Sequence, residues 1–191
     1  EHLISLSSHH SFDYIEGFVK INRSDTFFPM GPHYVLEVVK YFNLEDRDST
    51  DKIIESLLSS LNYLPSTLEI SEVPYMEFLD RVHASEMKLE AQGLWKVPHP
   101  WLNLLIPRTR IQEFGEGVFG NIVRDSSSGP ILIYPVNKSM WNNRTSVVTP
   151  DDEVFYLVAF LSSAAPSPTN EDVLGRFLDQ NRRIIEFCER A

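Results

Sequence analysis

The sequence predicts an α+β domain, a mainly antiparallel sheet with helices packed on one face, and three observations carry that prediction. Two pairs of successive strand-like segments, 12–21 with 34–42 and 130–136 with 153–162, are joined by polar loops without a helix between them. Connections of that kind suit antiparallel or mixed neighbours, because parallel strands need a long crossover. The helical segments interleave with the strands irregularly, unlike a repeated strand–helix–strand unit. Finally, 191 residues with 42% hydrophobic and 12% aromatic content are enough to bury one substantial core, so residues 1–191 read as a single domain.

The elements follow in order. Residues 12–21, FDYIEGFVKI, are aromatic and β-branched and read as a strand, with Gly17 marking a bulge or a close approach. Glu16 beside it faces solvent if strand alternation alone decides, or a polar site if something pairs with it. Arg23 to His33, with Asp25, Pro29, Gly31 and Pro32, reads as a loop, and Tyr34 to Phe42 as a second strand. Ser49, Thr50 and Asp51 offer capping side chains to a helix carrying Ile53, Ile54, Leu57, Leu58 and Leu61. Leu68 to Val73 reads as a short strand. Pro74 suits a helix start, Tyr75, Phe78, Leu79, Val82 and Leu89 keep a 3.6-residue period to about Gln92, and Gly93 is a natural stop.

Next comes a corner around which the chain is organised, Lys96-Val97-Pro98-His99-Pro100-Trp101-Leu102-Asn103-Leu104-Leu105-Ile106-Pro107. Its prolines hold Val97 and His99 out of the helical region and make a stiff lead-in to a strand that ends at Pro107. Two readings stand: a core strand, or a pocket wall in which Trp101 is a flat apolar surface and Asn103 a donor–acceptor beside it. Pro107 to Val123 reads as a helix through Ile111, Phe114, Val118, Phe119 and Ile122, weakened by Gly115, Gly117 and Gly120. Ser126 to Gly129 reads as a turn. Pro130 to Val136 is a strand whose prolines, 130 and 135, suggest an edge or a pocket-lining end. A polar loop with Trp141 follows, then Glu153 to Ser162 as a strand buried on both faces, a linker at 164–169, and a terminal helix with Val173, Leu174, Phe177, Leu178, Ile184, Ile185 and Cys188 inward.

Composition excludes several functions. A net charge of −10, from 27 acidic and 17 basic residues, repels phosphate backbones and argues against nucleic-acid binding. No apolar run approaches the roughly 20 residues that span a bilayer. His9, His10, His83 and His99 lack partners at metal-ligand spacing, so no metal site is expected. A single Cys188 excludes an internal disulfide. No nucleophile elbow, phosphate loop or dinucleotide fingerprint is present, which leaves a ligand-shaping domain whose reactive equipment lies elsewhere. The chain starts at Glu1 without an initiator Met and stops within a helical segment, so it is expected to be a piece of something longer. Three N-glycosylation triplets, at Asn22, Asn137 and Asn143, lead to the expectation of a secreted, apoplastic glycoprotein rather than a vacuolar or cytosolic one.

The strings FDYIEGFV (12–19), LEVVKYF (36–42), EVPYMEFLDRVHASEMKL (72–89), GLWKVPHPWLNLLIP (93–107), GPILIYPVNKSMWNNRTS (129–146) and EVFYLVAFL (153–161) resemble the substrate-binding domain of the plant cytokinin dehydrogenases. The resemblance runs from about Leu3 to Ala191, and the loop between Ser24 and Tyr34 is shorter than usual in that family. It implies a flavoprotein of the vanillyl-alcohol-oxidase type, with FAD bound by a domain outside this chain. The reaction implied is oxidation of an N6-isoprenoid adenine by hydride transfer to the flavin, the imine then hydrolysing to adenine and an aldehyde, with a quinone or oxygen as electron acceptor. The fragment alone is expected to be inactive. Carried over position by position, Glu16 matches an active-site carboxylate, and Trp101 and Asn103 match pocket-lining residues. Val82, Pro130, Leu132, Ala159 and Leu161 match the lining around the purine. Ser85 stands where some relatives place an acid at the entrance, and Asn22 matches a glycosylated position. Two other readings remain at this point: the cap of another flavin-dependent amine or alcohol oxidase, and a non-catalytic cytokinin-binding module.

Overall fold

The structure is a computed structural model that describes residues 12–22, 30–124, 129–142, 144–166 and 171–190. The chain divides into two compact units, one formed by Glu1–Ile15 with Val38–Lys96 and the other by Glu16–Glu37 with Val97–Ala191.

The second unit is built on a five-stranded sheet of order β2-β1-β4-β5-β3. Its strands are β1 Tyr14–Asn22, β2 Gly31–Val39, β3 Leu102–Pro107, β4 Ile131–Asn137 and β5 Val154–Phe160. β5 runs antiparallel between β3 and β4, and β4 runs antiparallel to β1. Side chains alternate between faces along each strand, and directly paired residues share one. One face therefore carries Val19, Ile131, Ile133, Tyr156, Val158, Phe160 and Ile106, all buried. The helices of this unit cover it. α4, Ile111–Phe114, continues without a break as a π-helical segment, Gly115–Ile122, and the Phe119 ring of that segment lies 6.2 Å from Phe160. The terminal helix, α5 (Val173–Arg190), packs on the π segment so closely that a Cβ at Gly117 would lie 2.3 Å from the Phe187 ring. Of the glycines at 115–120, which weaken an ordinary helix, Gly117 permits this approach of two helices. The expected α+β layering is thus present.

Several boundaries differ from expectation. β2 starts at Gly31 rather than Tyr34 and ends at Val39, before Phe42. Gly31 has φ +128°, a conformation glycine alone adopts readily, and Pro32 is tolerated because β2 is an edge strand. The rest of that expected loop, residues 23–29, lies outside the described residues, as do 125–128 of the Ser-rich turn and 167–170 of the linker. β4 is interior, not an edge. Its ladder with β1 nonetheless spans only Ile131–Ile133, and Pro135, which has no N–H to give, lies just past the point where that ladder stops. In α5 the buried residues are Phe177 and Ile184, one heptad apart, whereas Leu178 and Ile185 each sit one position further round and are exposed.

The first unit is helical. A 3₁₀ turn, Leu44–Asp46, leads into α1, Arg47–Ser59, so Ser49, Thr50 and Asp51 lie inside the helix instead of capping it; the Ser49 hydroxyl donates back to the Asp46 carbonyl. The segment 68–73 is not a strand: it follows a 3₁₀ turn at Pro65–Thr67, pairs with no strand among the described residues and leaves Ile70 73% exposed. The helix expected from Pro74 to Gln92 is broken at Asp80 into α2, Tyr75–Leu79, and α3, Arg81–Ala91. Only Phe78 of its apolar stripe is buried, while Tyr75, Leu79 and Val82 are exposed. Gly93, at φ +70°, ends α3, with Leu94 N–H donating to the Leu89 carbonyl, a left-handed cap. The unit is held by an aromatic cluster: Tyr14 and Tyr41 meet Phe78 edge-on at 5.4 and 6.0 Å, Tyr75 meets Tyr41 at 5.1 Å, and the Arg81 guanidinium lies 4.2 Å from the Phe78 ring centroid.

Candidate functional site: the open face of the sheet

The other face of the sheet has a different character, and the strand register defines it row by row. Asn103 pairs with Ala159, Ala159 with Leu132, and Leu132 with Phe18, so these four residues form a line across β3, β5, β4 and β1. One row along, Leu105 pairs with Leu157 and Leu157 with Tyr134. Glu16 and Tyr134 each lie one residue past Gly17–Ile133, the last pair of the β1–β4 ladder, on the face that carries Phe18 and Leu132. In the third row the Leu161 N–H donates to the Pro130 carbonyl at 3.1 Å, and Trp101 stands one step beyond the Leu102–Phe160 pair, opposite Leu161.

Seven of the residues singled out in the sequence, Glu16, Trp101, Asn103, Pro130, Leu132, Ala159 and Leu161, therefore share one face in three adjacent rows. Unlike the packed face, this one is mostly half-buried or exposed. Trp101 is 51% exposed, Asn103 is exposed, and only Ala159 and Phe155 of its β5 residues are buried. With strands about 4.8 Å apart and about 3.3 Å per residue along them, Glu16 and Trp101 stand at opposite corners, roughly 20 Å between Cα atoms. A single ligand reaching both must be elongated and lie obliquely across the strands.

The corner that carries Trp101 is tied down from three sides. The Ala164 N–H donates to the Pro98 carbonyl at 2.9 Å, Asn181 of α5 donates its amide to the Pro100 carbonyl at 2.8 Å, and His99 Nδ1 lies 3.0 Å from the Ser163 hydroxyl. The Trp101 N–H donates to the His99 carbonyl at 2.8 Å, and the two rings lie 5.7 Å apart. The two readings of the corner thus hold at different residues: Ile106 is core, while Trp101 projects from the rim.

Electrostatics singles out Tyr134. Its phenol is pushed above its ordinary value of 10.0, first by burial and then by the negative charge of Glu16. Sequence reasoning misses Tyr134 and Phe18, although each sits two residues along its strand from a residue that it singles out, Leu132 and Glu16. That period of two is the available signal.

Val82 and Ser85 lie elsewhere, on α3 in the first unit. Val82 is 70% exposed, and the Ser85 hydroxyl donates to the Arg81 carbonyl one turn back. The side chain of Asn22, which ends β1, and all of Asn143 lie outside the described residues. Asn137 is exposed, its side-chain oxygen accepting from the Ser139 N–H and hydroxyl at 3.0 and 2.8 Å. A groove of about 230 Å³ beside α5, lined by Arg124, Glu171, Arg176, Phe177 and Arg183 among others, shares no residue with the open face. Among the described residues no group of three metal-ligating side chains converges, and no helix is long and apolar enough to cross a membrane.

An α+β domain that presents one open sheet face with a carboxylate, a phenol, an amide and an indole over an aliphatic floor belongs to the class of domains that offer a wall to a ligand. Comparison with known proteins gives the family. The family model described as "Cytokinin dehydrogenase 1, FAD and cytokinin binding" matches residues 1–191. Cytokinin dehydrogenase 1 of Arabidopsis thaliana is 51% identical over 100% of this chain and 36% of its own length. Cytokinin dehydrogenases 9 and 4 of Oryza sativa subsp. japonica are 52% and 49% identical over 97% of the chain and 39% and 38% of theirs. The chain belongs to the cytokinin dehydrogenase family, as its substrate-binding domain, and spans less than two fifths of the length of these curated relatives. Family membership sets aside the cap of another flavin-dependent amine or alcohol oxidase.

Proposed function

We propose that this chain shapes the substrate site of an FAD-dependent cytokinin dehydrogenase, and that the open face of the sheet is its wall against an N6-isoprenoid adenine. The observation that carries this is the register, which sets Asn103, Ala159 and Leu132 in one row, with Glu16, Trp101, Pro130 and Leu161 on the same face by strand alternation. Such a ligand is elongated, with a planar polar end and an aliphatic tail, and the wall has matching parts. Glu16 accepts hydrogen bonds from ring or exocyclic N–H groups. Leu132, Ala159 and Leu161 form a floor for apolar atoms, Trp101 offers a flat surface, and Asn103 offers one donor and one acceptor.

The wall itself does not fit a dinucleotide. Its charged group beside the polar end is the acid Glu16, which repels a pyrophosphate, and the strands that carry it present no helix N-terminus to cradle one. FAD is therefore assigned to a segment outside this chain, where, when bound, it supplies the hydride acceptor. The residues here bind the substrate, orient its amine and tail, and exclude water. On this reading a quinone or oxygen reoxidises the flavin, and glycans at Asn22, Asn137 and Asn143 accompany secretion into the apoplast.

The experiment is steady-state kinetics of the complete protein carrying Glu16→Gln or Asn103→Leu with an N6-isoprenoid adenine. A loss of tenfold or more in kcat/KM, without loss of flavin content, is expected, and wild-type kinetics in both variants would refute the wall. The isolated chain is expected to show no turnover with added FAD; measurable dehydrogenation by it would contradict the division of labour.

A further inference from the structure

We infer that Tyr134 is a second polar contact of this wall, acting with Glu16 as a donor–acceptor pair that reads one edge of the ligand's ring; this rests on the open face being the substrate wall. Three observations support it. Glu16 and Tyr134 each lie one residue past Gly17–Ile133, the last pair of the β1–β4 ladder, on the same face of adjacent strands, and the Glu16 charge reaches the Tyr134 phenol. Tyr134 lies two residues from Leu132 and pairs with Leu157, so it shares the open face and not the packed one. Among the described residues its hydroxyl makes no hydrogen bond, although the side chain is half-buried. The hydroxyl is reachable from solvent and can therefore donate to a ligand atom.

The chemistry of the pair is directional. The Glu16 carboxylate only accepts, whereas the Tyr134 phenol, kept protonated by burial and by the neighbouring charge, donates. Side by side they complement a ring edge that presents a donor N–H next to an acceptor nitrogen. A nitrogen heterocycle has such edges, and a purely aromatic or aliphatic amine does not. The pair thus selects for the heterocycle at the polar end, while Trp101 and Asn103, at the far corner of the wall, deal with the rest. Tyr134 is a positioning and specificity residue, with no part in bond making.

The test uses the complete protein and two ligands: an N6-isoprenoid adenine, and an analogue in which one ring nitrogen acceptor is replaced by carbon. Tyr134→Phe removes only the hydroxyl and keeps the ring, so folding is preserved. It should raise KM about tenfold with kcat within about twofold, the loss expected for one hydrogen bond in a desolvated charged setting. For the analogue whose missing nitrogen faces Tyr134, the same substitution should have no effect, a non-additivity that a merely structural tyrosine would not produce. An equal rise in KM for the parent and for every ring-carbon analogue, or no rise at all while Glu16→Gln remains impaired, overturns the pair and leaves the wall. Unchanged kinetics for Tyr134→Phe, Glu16→Gln and Trp101→Ala together would overturn the wall as well.

Discussion

The two faces of the sheet are made from the same strands and differ by one residue in register. On the packed face Val19, Ile131, Ile133, Val158 and Phe160 are sealed under the π segment and α5, with Val158 fully buried. On the open face Leu132, Tyr134 and Leu157, their immediate neighbours in sequence, remain partly accessible. This unit places most of its hydrophobic packing on one side, although on the open face Phe155 is fully buried with the Trp141 ring 5.9 Å from its own. Backbone ladders fix the positions of the open-face side chains. Stability and recognition are thereby assigned to alternate residues of single strands.

Substitutions on the two faces should therefore separate cleanly. The largest stability effect belongs to the packed face: Phe160→Ala, at a site 1% exposed, should lose about 3–5 kcal/mol in chemical denaturation. Gly117→Val comes next. Its side chain would overlap the Phe187 ring and push α5 away from the π segment, at a cost of about 1–3 kcal/mol. A melting temperature equal to that of the unmodified protein would contradict that account of the glycine. Asn181→Ala, which removes the amide held by the Pro100 carbonyl, should cost about 1 kcal/mol, and in the complete protein it should also lower kcat/KM because the Trp101 rim loosens.

The smallest effect is one of pH. The folded state holds the Tyr134 and Tyr34 phenols above 10.0, Tyr34 through burial and the Glu116 charge. Above pH 10 the unfolded chain releases these protons first, so stability that is fully present below pH 10 declines as pH rises. Tyr134→Phe should flatten part of that decline in denaturation midpoints measured between pH 9 and 11, and an unchanged slope would argue that Tyr134 is more solvated than its position indicates.

Strand periodicity makes most of the sheet legible in the sequence. The segments that form β1, β3, β4 and β5 stand out to within about three residues, because alternating or continuous apolar runs bounded by proline and glycine have few other uses. The first unit is less legible. The run at 68–73 has strand composition but no partner among the described residues, and the period from Tyr75 to Leu89 does not reveal the break at Asp80, where the chain turns without a glycine or proline to mark it. For the site, composition leaves Glu16, Trp101 and Asn103 open between core and pocket, since alternation states which residues share a face but not which face is covered. Tyr134 escapes sequence reasoning because a tyrosine in an apolar strand is ordinarily core. Only its register against Glu16 and its position on the uncovered side distinguish it.

Whether the open face binds while the packed face holds is decided by Trp101→Ala in the complete protein, with kcat/KM for an N6-isoprenoid adenine and the melting temperature measured on the same preparation. Trp101 is half-exposed at the rim, so kcat/KM should fall at least tenfold while the melting temperature stays within a few degrees of the unmodified protein. An unchanged kcat/KM, or a loss of activity that merely follows a collapse in melting temperature, would make the corner at Trp101 part of the core and contradict the wall.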